Sequence, residues 1–373
     1  MSRKVIGPLV TLLLVVGVGA AIYLSASEQI SLNSVQTVRG ISGSEKLPFF
    51  HDQRTIEILS SAPHQIQPDV EKAGSRQIAT SYDLSEYDFA FPAGIPAAEK
   101  IKLENHINKS YQPFFTPMVI ASWKPIAEIL EANGVVQLRD GTYYIIDMDK
   151  LFELVLARKR WTDLEGHEKY PANKSILVTT TDIRKSNSAA MYLALASYVL
   201  NGNTIVQNQE QAAPLINDLG QMFMRQGFTE SSSQAPFQNY LTMGPGKTPL
   251  VMIYEAQFLY EAAKPDSAIT EDMVLLYPEP TLFTKHIFVP ITENGQMLGE
   301  ALSRDEQLQQ IATEHGLRTE NTKLFRQFVK ERQLNVPDFL VNVIEPPSYE
   351  VLEGMIQQIE QRYASGALAT APQ

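Results

Sequence analysis

Apolar runs alternate with amphipathic stretches along the first part of the chain. Short runs bounded by turn residues predict strands, and apolar positions at helical spacing after Pro48 predict a helix that ends near Leu59. Alternation of strand and helix favours an α/β fold with a largely parallel sheet. The predicted strands of this part are 37–42, 66–70 and 87–91.

The same alternation extends through the rest of the chain. The predicted strand at 286–291 contains Pro290, so it suits an edge or a crossing strand better than a central one. The other predicted strands are 114–123, 143–146, 176–178, 249–254 and 273–277. Predicted helices lie at 125–132, 148–161, 189–200, 215–228, 297–301, 305–315, 322–332 and 349–363.

Two strand–turn–helix junctions are candidate ligand sites. The sequence SILVTTTDIRKSNSAAMY at 175–192 enters a helix with Ser186, Asn187 and Ser188 at the N-cap and first turn, and SGSEK at 42–46 has the same build. The first N–H groups of a helix lack partners within it and lie at its positive end, so each junction predicts an anion site. An ordinary capped helix explains either junction taken alone.

Side chains near these junctions are further candidates. Arg184 lies in the second junction, and Ser75 and Arg76 begin another predicted helix, so the two arginines are candidate counter-charges for an anion. Solvated surface cations are the alternative for each arginine. Glu255 follows the buried strand at 249–254, where its carboxylate would either contact a ligand or fix a loop.

Composition and charge argue against several classes of function. The 373 residues are 44% hydrophobic with a formal net charge of −11, and no basic run interleaves with aromatic residues, so we expect a folded chain with no nucleic-acid partner. The chain has no cysteine, and its six histidines lack metal-ligand spacing, so we expect no metal site. A Gly-x-Ser-x-Gly motif is missing, and Leu241 stands where a P-loop around 244–247 needs glycine. We therefore expect neither an enzyme nor a cofactor.

The N-terminus carries a candidate membrane helix. Residues 5–24, VIGPLVTLLLVVGVGAAIYL, are uncharged and long enough to cross a bilayer, and Arg3 and Lys4 orient the N-terminus inside. A cleaved signal peptide is the alternative, because the sequence SAS at 25–27 resembles a cleavage site. The bulk of the chain is expected to be extracytoplasmic, anchored to the cytoplasmic membrane or else secreted or periplasmic.

The polar junctions carry a family resemblance. Gly43-Ser44-Glu45, Gly74-Ser75-Arg76, the stretch TDIRKSNS at 181–188 and the paired helices at 299–316 resemble the extracytoplasmic solute-binding proteins of ABC importers. The similarity is closest to the type 2 periplasmic binding protein fold, which includes phosphate, sulfate and molybdate receptors. It implies two lobes joined by crossing strands near 118–123 and 286–291, which close over a ligand.

The expected architecture is one N-terminal transmembrane helix followed by a two-lobed α/β fold with a hinge of crossing strands. The expected limits are 1–27 for the anchor or signal segment, 28–119 for the first part of lobe 1, 120–285 for lobe 2, 286–363 for the second part of lobe 1 and 364–373 for a disordered tail.

The resemblance implies capture of a small solute, with an anion favoured, for an ABC-type importer with a membrane permease as candidate partner. Ser44 and the backbone N–H of Glu45 would hold the ligand from one lobe, and Ser186, Asn187 and Ser188 from the other. Ser75, Arg76, Arg184 and Glu255 complete the expected ligand-binding set. A membrane-anchored envelope accessory or sensor protein that keeps the fold without transport is the alternative.

Overall fold

The structure is a computed structural model that describes residues 35–227 and 229–365. The candidate membrane helix at 5–24 and residues 366–373 of the expected tail lie outside the described residues. Among the helices that are described, none is both long enough and apolar enough to cross a membrane.

Ten strands of the described chain form one mixed sheet. They are β1 Gln36–Ser42, β2 Ile66–Lys72, β3 Phe89–Phe91, β4 Tyr111–Trp123, β5 Val136–Arg139, β6 Tyr143–Asp147, β7 Val251–Tyr254, β8 Met273–Glu279, β9 Thr281–Pro290 and β10 Val343–Ile344. Their order is β2-β1-β3-β9-β4-β8-β6-β5, with β7 on β4 and β10 on β9.

Strand directions confirm the predicted parallel pairing near the N-terminus, and the pairs β6–β8 and β9–β10 are parallel as well. β1 pairs in parallel with β2 and β3, and β2 lies at the sheet edge, where Pro68 is tolerated. β4 and β9, in contrast, run antiparallel to each other, and each runs antiparallel to a further neighbour. The prediction of a largely parallel sheet is therefore wrong for the sheet as a whole, because β4 and β9, which pass between the lobes, run antiparallel to most of their neighbours.

Strands β4 and β9 connect the two halves of the molecule. β4 pairs with β9 along 111–117 and with β7 and β8 along 118–123. β9 lies between β3 and β4, so it is a crossing strand and not an edge strand. Pro290 is its last residue, where a missing N–H does not interrupt the ladder.

Fifteen α-helices of the described residues cover the sheet. They are α1 Leu47–Phe50, α2 Gln53–Ser60, α3 Ser75–Thr80, α4 Ile95–Glu104, α5 Lys124–Ala132, α6 Met148–Leu156, α7 Asn187–Leu200, α8 Gln209–Ala212, α9 Ile216–Met224, α10 Gln234–Met243, α11 Glu255–Ala262, α12 Glu293–Arg304, α13 Glu306–Glu314, α14 Thr322–Glu331 and α15 Tyr349–Ser365.

Among the predicted elements, one helix and one strand differ in kind from the structure. The helix predicted after Pro48 is divided at Asp52, whose carboxylate accepts a hydrogen bond from the Arg54 N–H and so begins a separate helix, α2. The segment 176–178 is not a strand. Its neighbour Thr179 forms only an isolated bridge with Val251, so no ladder develops.

Separate hydrophobic cores define the two lobes. In the first lobe, Phe89 and Phe91 of β3 face a core shared with α12 and α13, and Ala90 faces a second core shared with α3 and α4. The second lobe, built on the end of β4 with β5 to β8 and α5 to α11, has one large core.

The C-terminal helices divide between the lobes. α12 and α13 pack in the first lobe, as the resemblance implied for 299–316. Phe325 of α14 and Met355 and Ile359 of α15 are buried in the core of the second lobe, and α15 also packs on α4 of the first. The apolar faces of α14 and α15 are therefore covered by the second lobe, although both helices fall within the expected limits of 286–363 for lobe 1.

A buried ion pair joins the lobes beside the crossing strands. Glu255, at the start of α11, has a fully buried side chain, and its carboxylate accepts hydrogen bonds from Arg318 Nε at 2.8 Å and from the Tyr277 hydroxyl at 2.7 Å. The Arg318 guanidinium also donates to the Pro337 carbonyl at 3.1 Å and lies 3.9 Å from the Phe325 ring centroid. Of the two roles expected for Glu255, this arrangement matches fixing a loop.

Replacing Arg318 tests this ion pair. Arg318→Ala leaves the Glu255 carboxylate buried without its counter-charge, which should lower the free energy of unfolding by about 3–5 kcal/mol. Urea denaturation measures the loss, with the exposed Arg332→Ala as control. Equal stability of the two variants would contradict a structural role for the pair.

Candidate functional site

A cleft with a cavity volume of about 200 Å³ lies between the lobes. The first lobe contributes the turn after β1 and the segment from the end of β2 into α3. The second lobe contributes the start of α7, the loop before α10 and the end of β7. The lining residues are Gly43, Ser44, Glu45, Lys72, Ala73, Gly74, Ser75, Gln77, Ser186, Asn187, Ser231, Ser232, Ser233 and Tyr254.

Helix starts point their N–H groups at this cleft. α7 is 14 residues long and begins after Ser186, and α10 is 10 residues long and begins after Ser233. Neither helix has a side-chain hydrogen bond at its cap, so the first N–H groups remain available to a ligand. The helix dipoles add a positive potential at the same place, which favours an anion.

Hydroxyl groups supply further donors. The Ser75 Oγ accepts a hydrogen bond from the Ala93 N–H at 2.8 Å, so its own proton is left for a ligand. The Tyr254 hydroxyl accepts from Asn187 Nδ2 at 3.2 Å and likewise keeps its proton. Burial and the nearby Glu45 carboxylate raise the pKa of Tyr254 well above its ordinary value, so this proton is retained.

Glu45 lines the cleft and forms a group with two other ionisable side chains, Lys46 and His286, which do not line it. The Glu45 carboxylate contacts the Lys46 ammonium through Oε1 and lies 3.5 Å from His286 Nδ1. Lys46 Nζ lies 3.1 Å from the same ring nitrogen. The side chains of Lys46 and His286 are fully buried, and that of Glu45 is 4% exposed.

Mutual contact sets the charges of this group. Burial raises the pKa of Glu45, but the charges of Lys46 and His286 and their hydrogen bonds outweigh that effect and hold the pKa well below its ordinary value. Burial, with Lys46 adding to it, lowers the pKa of His286 to about 4. Burial also lowers the pKa of Lys46, and the Glu45 charge opposes this shift. Glu45 is therefore anionic and His286 neutral near neutral pH.

The cleft is closed by direct contacts between the lobes. Asn187 Nδ2 donates to the Ala93 carbonyl at 2.9 Å, and Arg76 Nη1 donates to the Arg184 carbonyl at 2.8 Å. At Gly74 a Cβ atom would lie 2.2 Å from the Lys185 carbonyl oxygen, so only glycine permits this approach. The structure is therefore a closed arrangement of the two lobes.

Solved structures of low sequence identity share this fold. The sulfate-binding protein SubI from Mycobacterium tuberculosis H37Rv matches with a TM-score of 0.55 and 12% identity, over 86% of this chain and 98% of that one. Iron-bound HitA from Pseudomonas aeruginosa matches with a TM-score of 0.51 and 11% identity, over 87% of this chain and 98% of that one. The chain has the type 2 solute-binding fold. No protein-family model matches the sequence, and no curated protein sequence matches it significantly.

In this type 2 solute-binding fold, five of the predicted ligand contacts line the cleft. They come from both lobes. Four of them belong to the two junctions at which the sequence predicted an anion site, and Ser75 begins α3. They are Ser44, Glu45, Ser75, Ser186 and Asn187.

The other four predicted contacts do not line the cleft. The Arg184 guanidinium is bound by Asp182, and that of Arg76 is bound by Glu353 and Glu360. Ser188 is fully buried, with its Oγ 2.7 Å from Thr181 Oγ1 and 3.1 Å from Ser186 Oγ. Glu255 is held by Arg318 in the ion pair described above.

The cleft also contains residues that the sequence analysis did not select. Lys72 is exposed at its edge, and no carboxylate among the described residues pairs with it. Ser231, Ser232 and Ser233 precede α10, and this run of three serines before a helix is the signal that could have identified them. Within the described part of the chain, no group of three or more His, Asp or Glu side chains is placed to hold a metal ion.

The buried His286 predicts a dependence of stability on pH. An unfolded chain protonates this histidine near its ordinary pKa of 6.5, whereas the folded chain keeps it neutral down to about pH 4. The unfolded state binds more protons between these values, so the free energy of unfolding should fall by about 2 kcal/mol from pH 7 to pH 5 through this group.

Urea denaturation at both pH values measures this dependence. His286→Gln should reduce it, and the exposed His51→Gln should leave it unchanged. An undiminished dependence in His286→Gln would show that another group carries it.

Proposed function

We propose that the protein is an extracytoplasmic solute-binding protein that captures a small oxyanion between its lobes. The observation that carries the proposal is the convergence of two helix starts of the second lobe and of hydroxyl groups from both lobes on one closed cleft. Such a site holds an anion by neutral hydrogen-bond donors in a desolvated space, without a full counter-charge on every oxygen.

The distribution of cations supports a dipole-based site. The charges of Arg76 and Arg184 are neutralised by Glu353, Glu360 and Asp182, so neither arginine is proposed as counter-charge. Lys72 is the unpaired cation at the cleft edge among the described residues. In the proposal it attracts the anion toward a cleft that lies in a chain of net charge −11.

The fold supports the same class of function. SubI is described as a sulfate-binding protein, and HitA is described as iron-bound. Of these two ligand types, the hydroxyl and N–H donors of this cleft are suited to an oxyanion. Delivery to an ABC-type permease is the corresponding proposal for transport.

We also propose that residues 5–24 anchor the protein to the cytoplasmic membrane, with the lobes outside. The uncharged length of the segment and the basic residues before it support this topology. If no solute binds, the accessory or sensor role becomes the better account.

Serine substitutions in the cleft test the proposal. Ser44→Ala with Ser233→Ala removes one hydroxyl from each lobe, and hydrogen bonds to a charged ligand are worth about 1.5–3 kcal/mol each, so affinity should fall by at least about a hundredfold. Calorimetric titration with phosphate and with sulfate measures the loss, with Ser60→Ala, on the outer surface of the first lobe, as control. Failure of the unmodified protein to bind any oxyanion would contradict the proposed function.

A further inference from the structure

The Glu45 side chain differs from the other polar side chains of the cleft, because it cannot donate a hydrogen bond. Glu45 presents a carboxylate, which only accepts hydrogen bonds, in a space whose other polar side chains can all donate one. Its Oε1 atom is occupied by Lys46 and His286. Its Oε2 atom accepts no hydrogen bond from the residues that the structure describes, although the side chain is 4% exposed. Oε2 is therefore available to accept a hydrogen bond from a ligand in the cleft.

The carboxylate is fixed in place. It folds back over Gly43, where a Cβ atom would lie 2.4 Å from Oε1 and 2.6 Å from Oε2. Lys46 cannot leave Glu45 to serve the ligand, because its ammonium is fully buried beside His286 and lies 4.7 Å from the Phe91 ring centroid. An approaching ligand consequently meets an anionic acceptor at this point of the cleft.

Such an acceptor discriminates between ligands. An oxygen of a fully deprotonated oxyanion placed against Oε2 would bring two anionic acceptors together without a proton between them. A ligand group that carries a proton would instead donate to Oε2 and form a charge-assisted hydrogen bond. The donor on the ligand can be the hydroxyl of a protonated oxyanion or an ammonium group.

The size of the cleft favours an ammonium group as the donor on the ligand. Its volume of about 200 Å³ is more than ten times the roughly 10–15 Å³ that one water needs, so it has room for a molecule with more than one polar group. Its lining residues offer two kinds of contact to a longer molecule: Lys72 and the unpaired N–H groups at the helix starts suit an acidic group, and the Glu45 carboxylate suits a hydrogen-bond donor. This pairing suits a molecule with an acidic group and an amino group.

We propose that the ligand is a small organic oxyanion that carries an ammonium group, such as an aminoalkylphosphonate or aminoalkylsulfonate. The acidic group binds at the starts of α7 and α10, and the ammonium donates to Oε2 of Glu45. This inference rests on the proposed function and names the ligand class of the same cleft.

Matched ligand pairs test the inference by calorimetric titration near neutral pH. Aminoethanesulfonate is compared with ethanesulfonate, and aminoethylphosphonate with ethylphosphonate. The sulfonate pair isolates the ammonium group because a sulfonate stays deprotonated. The amino compound of each pair should bind at least about tenfold more tightly to the unmodified chain.

The variants assign the effect to one carboxylate. Glu45→Gln should remove most of the advantage of the amino compounds, whereas Glu86→Gln, at an exposed position of the first lobe, should preserve it. If Glu45→Gln fails to fold because Lys46 is left buried without its counter-charge, Glu45→Gln with Lys46→Met removes both charges and gives the same test.

Each outcome is decisive. If an amino compound binds no better than its partner, or if Glu45→Gln keeps the full advantage, the inference is overturned. If phosphate binds at least about tenfold better than sulfate while the amino group has no effect, the donor is the protonated oxyanion and the ammonium is excluded. If no oxyanion of any kind binds, the proposed function itself fails.

Discussion

Strand β4 is hydrogen-bonded in both lobes, and this continuity sets the geometry of the molecule. Its first part pairs with β9 and its last part with β7 and β8, so neither lobe can shift along the strand without breaking a ladder. The buried pair of Glu255 and Arg318 fixes the same region from the side. In the proposed function, β4 and β9 are the elements about which bending would close the cleft and bring its polar groups together.

The closed cleft depends on short-range fit as well as on the hinge. Asn187 donates across the interface to the Ala93 carbonyl, and the absence of a side chain at Gly74 lets the start of α7 approach the first lobe. α15 lies along both lobes, and its Glu353 carboxylate binds Arg76 of the first lobe. The arginine that looked like a ligand contact in the sequence thus acts as an interlobe contact in the structure.

The sequence predicted the helix starts of the site better than it predicted which charged side chains are paired. Ser186 and Asn187 could be found because the signal of a helix start is local. The partners of Arg76 could not be found, since Glu353 and Glu360 lie on a helix far along the chain. Glu45 was selected for its backbone N–H. Its carboxylate is held by the buried Lys46 and His286. These two residues are far apart in the sequence and meet because β9, which carries His286, passes beside the junction at 42–46.

The central claim is that an oxyanion binds between the lobes, against the turn after β1 and the start of α7. Anomalous diffraction from crystals of the protein saturated with arsenate tests it most directly, because arsenic is located without reference to the surrounding density. We predict one arsenic peak within hydrogen-bond distance of Ser44 and of the first N–H groups of α7. A saturated protein whose arsenic lies outside this cleft would contradict the account.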